Sequence, residues 1–255
     1  MTRNASTVLA TIVATAISLS AKGAESPPNG EGVQAEVQIE LCAPPEKIVR
    51  ALELHPRGNP IKVWQFDDTA LTLFDHGLRL RLRVAADGRS EFTLKVADQN
   101  CSRVDRKLVP SGEGKCEYDV YGTATAGAVS LNRSLDLRKT NDLLVGRMTP
   151  VQVLSKSQIR YLRDVVGAWP LPPGISELGP MKVQTYRTKD RLYDIDISQL
   201  PSGEQFAEIS RKVPAADASR TMRAMKANLA SAGVEMCADQ SSQAAHKLRA
   251  LLRER

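Results

Sequence analysis

The sequence predicts an α+β fold, a closed or nearly closed antiparallel β-barrel of about eight strands with flanking helices. Three observations predict it. Between residues 35 and 212 polar and apolar side chains alternate with a period of two, the pattern of strands whose two faces meet different surroundings. The polar rows are charged, some basic and some acidic. Like charges stacked on neighbouring strands repel unless opposite charges, a metal or a polyanion intervene. A closed barrel gathers such rows in one wet lumen, while helices cover its apolar outside.

The elements follow in order. The chain opens with one basic residue, Arg3, and an apolar run from Val8 to Ala21. That run is too short to cross a bilayer as a helix, which takes about 20 residues, but it has the size of a signal-peptide core. Residues 1–24 are expected to be a cleavable signal peptide and 25–34, rich in Pro and Gly, a flexible lead-in. The mature chain is then secreted or periplasmic, with no transmembrane span. AEVQIEL sets Glu36, Gln38 and Glu40 against Val37, Ile39 and Leu41, a strand. Prolines open a helix over PPEKIVRALEL, and IKVWQFDDT reads as a second strand. GLRLRLRVA is the clearest strand, with Arg79, Arg81 and Arg83 opposite Leu78, Leu80 and Leu82. EFTLKV places Thr93 and Lys95 opposite Phe92, Leu94 and Val96, and KCEYDVYG places Lys115, Glu117 and Asp119 opposite Cys116, Tyr118 and Val120.

A helix is expected over SLDLRKTNDLLVG, then a strand over VQVLSKSQIRYL with Lys156, Gln158 and Arg160 on one parity. AWPLPPGISELGP is too rich in proline for regular structure and reads as a loop or flap. Strands return at MKVQTYR, RLYDIDI and EQFAEISRKV, the last carrying Glu208. An amphipathic helix over ASRTMRAMKANLASAGVE closes the domain, and the basic tail HKLRALLRER is expected to extend it.

Composition narrows the function. A chain of 255 residues holds a sizeable core, and 42% hydrophobic with 25% charged residues excludes a multi-span membrane protein, a collagen and a disordered tail. Aromatics at 4% argue against stacking platforms for single-stranded nucleic acid, and no nucleic-acid motif accompanies the basic tail. The net charge of +6 leaves two options, an anionic partner or simply a basic secreted protein, and nucleic-acid binding has only the basic charge and the basic tail behind it. Cys42, Cys101, Cys116 and Cys237 form no CxxC pair, which argues against a zinc ribbon and, in an exported chain, for disulfides. Three connectivities are possible. Cys101 and Cys116 make the easiest local pair, which would leave Cys42 to Cys237. His55, His76 and His246 have no metal-ligand spacing and read as surface residues.

The segments FDDTALTLFDHGLRLRLR, FTLK, KCEYDV and FAEIS, in that order and parity, resemble the CYTH domain, or triphosphate tunnel metalloenzymes. The resemblance covers residues 35 to about 212 and sets a tunnel domain over 35–237, with a basic helical tail over 238–255. It implies a tunnel of eight antiparallel strands that binds a triphosphate or short polyphosphate with Mg²⁺ or Mn²⁺. Carried over residue by residue, it implies phosphate binding by Arg79, Arg81, Lys95, Lys115, Lys156 and Arg160, with Arg187 and Lys189 competing for the place of the last two. Metal binding falls to Glu117, Asp119 and Glu208, and catalytic carboxylates to Glu36, Glu40 and Glu117. The first strand departs from the family's Glu-x-Glu-x-Lys, because Gln38 replaces a carboxylate and Glu40 stands at the lysine position. Ser210 replaces the second acid of the last strand's Glu-x-Glu. Two readings follow: metal-dependent hydrolysis of the phosphate chain, or a non-catalytic module that binds polyphosphate or another anion outside the cytoplasm. An adenylyl cyclase is the weaker expectation, since export separates the chain from nucleotides.

Overall fold

Period-two alternation becomes strand wherever one face can be buried and the other charged, and the strands close on themselves. The computed structural model describes residues 32–105, 107–110, 112–240 and 243–254. The expected signal peptide and most of the lead-in lie outside the described residues. The strands are β1 (Gln34–Leu41), β2 (His55–Pro56), β3 (Ile61–Asp67), β4 (Leu78–Val84), β5 (Ser90–Val96), β6 (Gly114–Tyr121), β7 (Ala124–Leu135), β8 (Ser176–Arg187), β9 (Asp194–Gln199) and β10 (Gln205–Pro214). The helices are α1 (Pro45–Ala51), α2 (Thr72–Asp75), α3 (Leu137–Leu144), α4 (Lys156–Tyr161), α5 (Ala218–Ser231) and α6 (Gln243–Arg253).

The ladder runs β8-β3-β4-β5-β7-β6-β1-β10-β9, and β9 pairs back to β8, so nine strands close the barrel. The two-residue β2 hangs on the outer end of β8. All pairings within the ring are antiparallel except β1 with β6, which is parallel. The eight all-antiparallel strands expected from sequence are thus nine strands of mixed direction. The expected strand at 151–162 is helical. The S-x-x-Q run of Ser155 and Gln158 forms a capping box, with Ser155 N donating to Gln158 Oε1 at 2.8 Å and Gln158 N to Ser155 Oγ at 3.2 Å.

Two apolar layers cover the outside of the barrel. Val37, Ile39, Ile195 and Ile209 pack under Ile48 of α1 and Met222, Met225 and Leu229 of α5. Leu78, Leu80, Leu82, Phe92, Leu94 and Leu131 pack under Leu143 of α3 and Tyr161 of α4. Each such fully buried side chain contributes about 1.5–3 kcal/mol by leaving water, so the charged rows of the same strands are turned inward with little freedom to slip register. The Asp-Asp pair ending β3 is structural. Asp67 Oδ1 accepts from Leu73 N and Oδ2 from Phe74 N, both at 2.9 Å, while Asp68 Oδ1 accepts from Ala70 N and Thr72 N. These bonds fix the turn that delivers the chain into β4.

Both disulfides form, Cys42–Cys237 and Cys101–Cys116, and among the described residues no cysteine is free. The first ties the end of β1 to the chain after α5. Beside it Gln240 donates to Glu40 O and accepts from Glu40 N at 2.8 Å, so this segment is fixed along β1. The basic tail therefore does not extend α5. After α5 ends at Ser231 the chain runs beside the end of β1 and then forms the separate helix α6. No helix among the described residues is long and apolar enough to cross a membrane.

Candidate functional site

The register turns the charged rows of β1, β4, β5, β6, β9 and β10 into the lumen, while β3 and β7 contribute Val63, Gln65, Ser130 and Asn132. Across the ladder Arg79 stands opposite Lys95, Arg81 opposite Thr93, and Arg83 opposite Glu91. Glu36 of β1 lies beside Asp119 of β6 on one side and Lys212 of β10 on the other. Glu36, Glu117 and Asp119 bring one carboxylate oxygen each to within 4.8 Å of one another. Cations surround them: Lys212 Nζ is 2.8 Å from Glu117 and 3.8 Å from Glu36, Lys115 Nζ is 2.5 Å from Glu117, and Lys95 contacts Asp119, with Arg79 3.9 Å away.

These contacts set the charge states. Burial alone would raise the Glu117 carboxyl, but hydrogen bonds from Lys115 and Lys212 outweigh it and hold Glu117 below its ordinary range. Burial lowers Lys95, and the Arg79 charge adds to the fall against the pull of Asp119. Burial lowers Arg81 well below its ordinary value, with Arg83 and Arg79 adding repulsion. Arg81 Nε and Asp119 Oδ1 are buried without hydrogen-bond partners. Glu40 Oε1 is likewise buried without a partner, and each of these open groups calls for a water or an ion beside it.

A second acidic level lies further along the barrel. Glu40 of β1, Glu208 of β10 and Asp196 of β9 are direct register neighbours. Glu40 is four residues beyond Glu36 on the same strand, about 13 Å at roughly 3.3 Å per residue. His246 of α6 lies between Glu40 and Asp239, with Nδ1 3.5 Å from one and Nε2 3.3 Å from the other. Burial above all, with the charges of Asp196, Glu36 and Glu40 and against the opposing charge of Lys247, raises Glu208 to about 7. A carboxyl raised in the folded state favours folding while protonated. That contribution is complete below pH about 4.5 and is lost as the pH rises through about 7. The gap corresponds to about 3 kcal/mol. Glu208→Gln is therefore expected to match wild type in urea unfolding at pH 4 and to exceed it by about 3 kcal/mol at pH 8; identical stabilities at both would place Glu208 in water.

The sequence-selected residues divide. Glu36, Arg79, Arg81, Lys95, Lys115, Glu117 and Asp119 converge on one part of the lumen, and Glu40 and Glu208 meet at the other level. Lys156 and Arg160 do not reach it: both are exposed on α4, while Gln158 between them is buried and donates to Phe92 O and Leu131 O. Residues two apart share a strand face but lie on opposite sides of a helix. Arg187 is on a lumen row but is engaged with Asp194 at 2.6 and 2.9 Å, and Lys189 is exposed. Sequence reasoning missed Lys212 and Asp196, although continuing the parity of Glu208 along β10 reaches Lys212.

No protein-family model matches the chain, and no curated protein matches its sequence. Among solved structures it is similar to a putative adenylyl cyclase from Hippeastrum, HpAC1, reported to have a dominant triphosphatase activity. The two are 15% identical with a TM-score of 0.55, over 86% of this chain and 94% of that one. It is also similar to a putative adenylate cyclase from Bacillus halodurans, at 14% identity and a TM-score of 0.53, over 82% of this chain and 96% of that one. With its closed barrel and charged lumen, this chain has the fold of the CYTH, or triphosphate tunnel, proteins.

Proposed function

We propose that the chain hydrolyses a triphosphate or short polyphosphate in the barrel lumen with the help of Mg²⁺ or Mn²⁺. The observation that carries this reading is the meeting of the Glu36–Glu117–Asp119 group with Arg79, Arg81 and Lys95 in one enclosed space, where Arg81 Nε and Asp119 Oδ1 lack partners. An all-carboxylate donor set with an open buried oxygen suits a hard divalent cation. Such an ion, held by Glu36, Glu117 and Asp119, supplies charge neutralisation at the phosphate oxygens.

The chain's own residues do the rest. Arg81, with no ion pair among the described residues, is free to donate to phosphoryl oxygens, and Lys95 and Arg79 turn from Asp119 towards the same anion. Lys115 and Lys212 hold Glu117 ionised. Glu36, whose nearest cation is Lys212 at 3.8 Å, orients the attacking water and takes its proton on a carboxylate oxygen. Water oxygen bonds to the terminal phosphorus as the bridging P–O bond breaks, and the leaving phosphate keeps that electron pair. Positioning and fixed positive charge account for most of the acceleration such a reaction needs. Export to the periplasm or medium accords with the two disulfides.

The test is phosphate release from tripolyphosphate by the mature protein with Mg²⁺ or Mn²⁺, abolished by a chelator. Tight polyphosphate binding without release under any metal would instead support the non-catalytic module.

A further inference from the structure

The helix α6 is inside the barrel. Its Leu248 and Leu251, 3% and 2% exposed, pack against Val63 of β3 and Met181 of β8. Val63 and Met181 face each other across the ladder, and Val63 is also the register partner of Arg83, so this apolar patch belongs to the same inner face as the arginine row. One end of the lumen is thus apolar, and α6 fills it.

Lys247 precedes Leu248 and is partly buried. The charges that act on it are Glu208, Asp196, Glu40 and Arg81, lumen residues from four different strands. Despite three carboxylates in its surroundings, Nζ makes no ion pair or hydrogen bond among the described residues. Arg81, on the facing wall, has a buried Nε with no acceptor. A buried guanidinium donor with no acceptor is costly unless an anion reaches it, and the unpaired Lys247 offers such an anion a second cation in the same lumen.

We propose that Lys247 is a phosphate-binding residue, carried into the lumen by α6 to hold, together with Arg81, the phosphoryl group of a bound oligophosphate. This rests on the lumen being an oligophosphate site. Burial lowers the Lys247 ammonium, Glu208, Asp196 and Glu40 oppose that fall, and the ligand oxygens complete its hydrogen bonding. A lysine serving only as a counter-ion for the acids would affect the stability of the free protein and leave ligand affinity alone.

Calorimetric titration of tripolyphosphate into the mature protein separates these roles. Lys247→Met is expected to weaken binding about tenfold or more. Lys247→Arg should stay within a few-fold of wild type. Arg249→Gln, which removes the same charge from an exposed position of the same helix, should bind as wild type does. Wild-type binding matched by a folded Lys247→Met variant would overturn the role of Lys247 while leaving the oligophosphate site intact; no binding by wild type would overturn both. Should Lys247→Met not fold, hydrogen exchange on the wild type decides. Saturating tripolyphosphate should slow amide exchange across residues 243–253, and unchanged exchange there would refute the contact.

Discussion

Arg81→Met is expected to weaken tripolyphosphate binding at least about a hundredfold, yet to leave the ligand-free protein as stable as wild type or more so. Charge-assisted hydrogen bonds contribute about 1.5–3 kcal/mol each, so two from one guanidinium correspond to about a hundredfold or more in affinity. In the free protein the same guanidinium is a liability. It is enclosed, repelled by Arg79 and Arg83, and holds a buried Nε without an acceptor. Removing it relieves a desolvation cost of several kcal/mol, partly offset by lost packing of the side chain. Calorimetry and urea unfolding on one preparation give both numbers. An affinity within threefold of wild type would mean that the arginine row does not meet the ligand, and the inward assignment of β4 would fall with it.

Asp119→Asn should lower metal-dependent phosphate release by about a thousandfold while tightening metal-free tripolyphosphate binding. The amide keeps the shape but gives up the charge and one of the oxygens offered to a cation, an effect of several kcal/mol on a reaction that depends on charge neutralisation. The opposite effect on binding follows from the contacts. Lys95 pairs with Asp119 and Arg79 lies 3.9 Å from it, so a neutral side chain frees both for phosphate. Phosphate release assays with Mg²⁺ or Mn²⁺ and titrations with chelator present test the two halves separately. Activity retained within about tenfold would remove Asp119 from the reacting centre.

What the sequence disclosed and what it concealed have physical causes. Rows such as Arg79-Leu80-Arg81-Leu82 announce their two faces because each side chain is large and unambiguous. β7 reads ATAGAVSLNRSL, mostly small residues with no contrast to alternate, and it went unrecognised. Its smallness is required: a Cβ on Gly127 would stand 1.8 Å from the Gln99 carbonyl oxygen. The stretch at 156–160 was misassigned because Lys-x-Gln-x-Arg suits a strand by parity, while the S-x-x-Q cap that decides for helix is a weaker signal. The Glu36–Glu117–Asp119 carboxylate group was legible from parity on β1 and β6. The second acidic level was only half legible, since Asp196 comes from a strand whose sequence, DIDIS, does not say which neighbours it joins. The entry of α6 into the barrel was not legible at all, because an amphipathic pattern shows that one face is buried but not by what.

The position of β1 bears on how the chain is made. It is synthesised before every other strand, but both its neighbours, β6 and β10, come much later, and β10 ends at Pro214. Hairpins such as β4–β5 and β6–β7 have their partners at once, so they can zip while the chain is still growing. The first strand can meet β6 only after Tyr121 and β10 only after Pro214, so one of its edges stays open until nearly the whole domain has emerged. The barrel is therefore sealed from its beginning by its end, and a ribosome stalled before residue 205 would leave a chain with local hairpins but no tunnel.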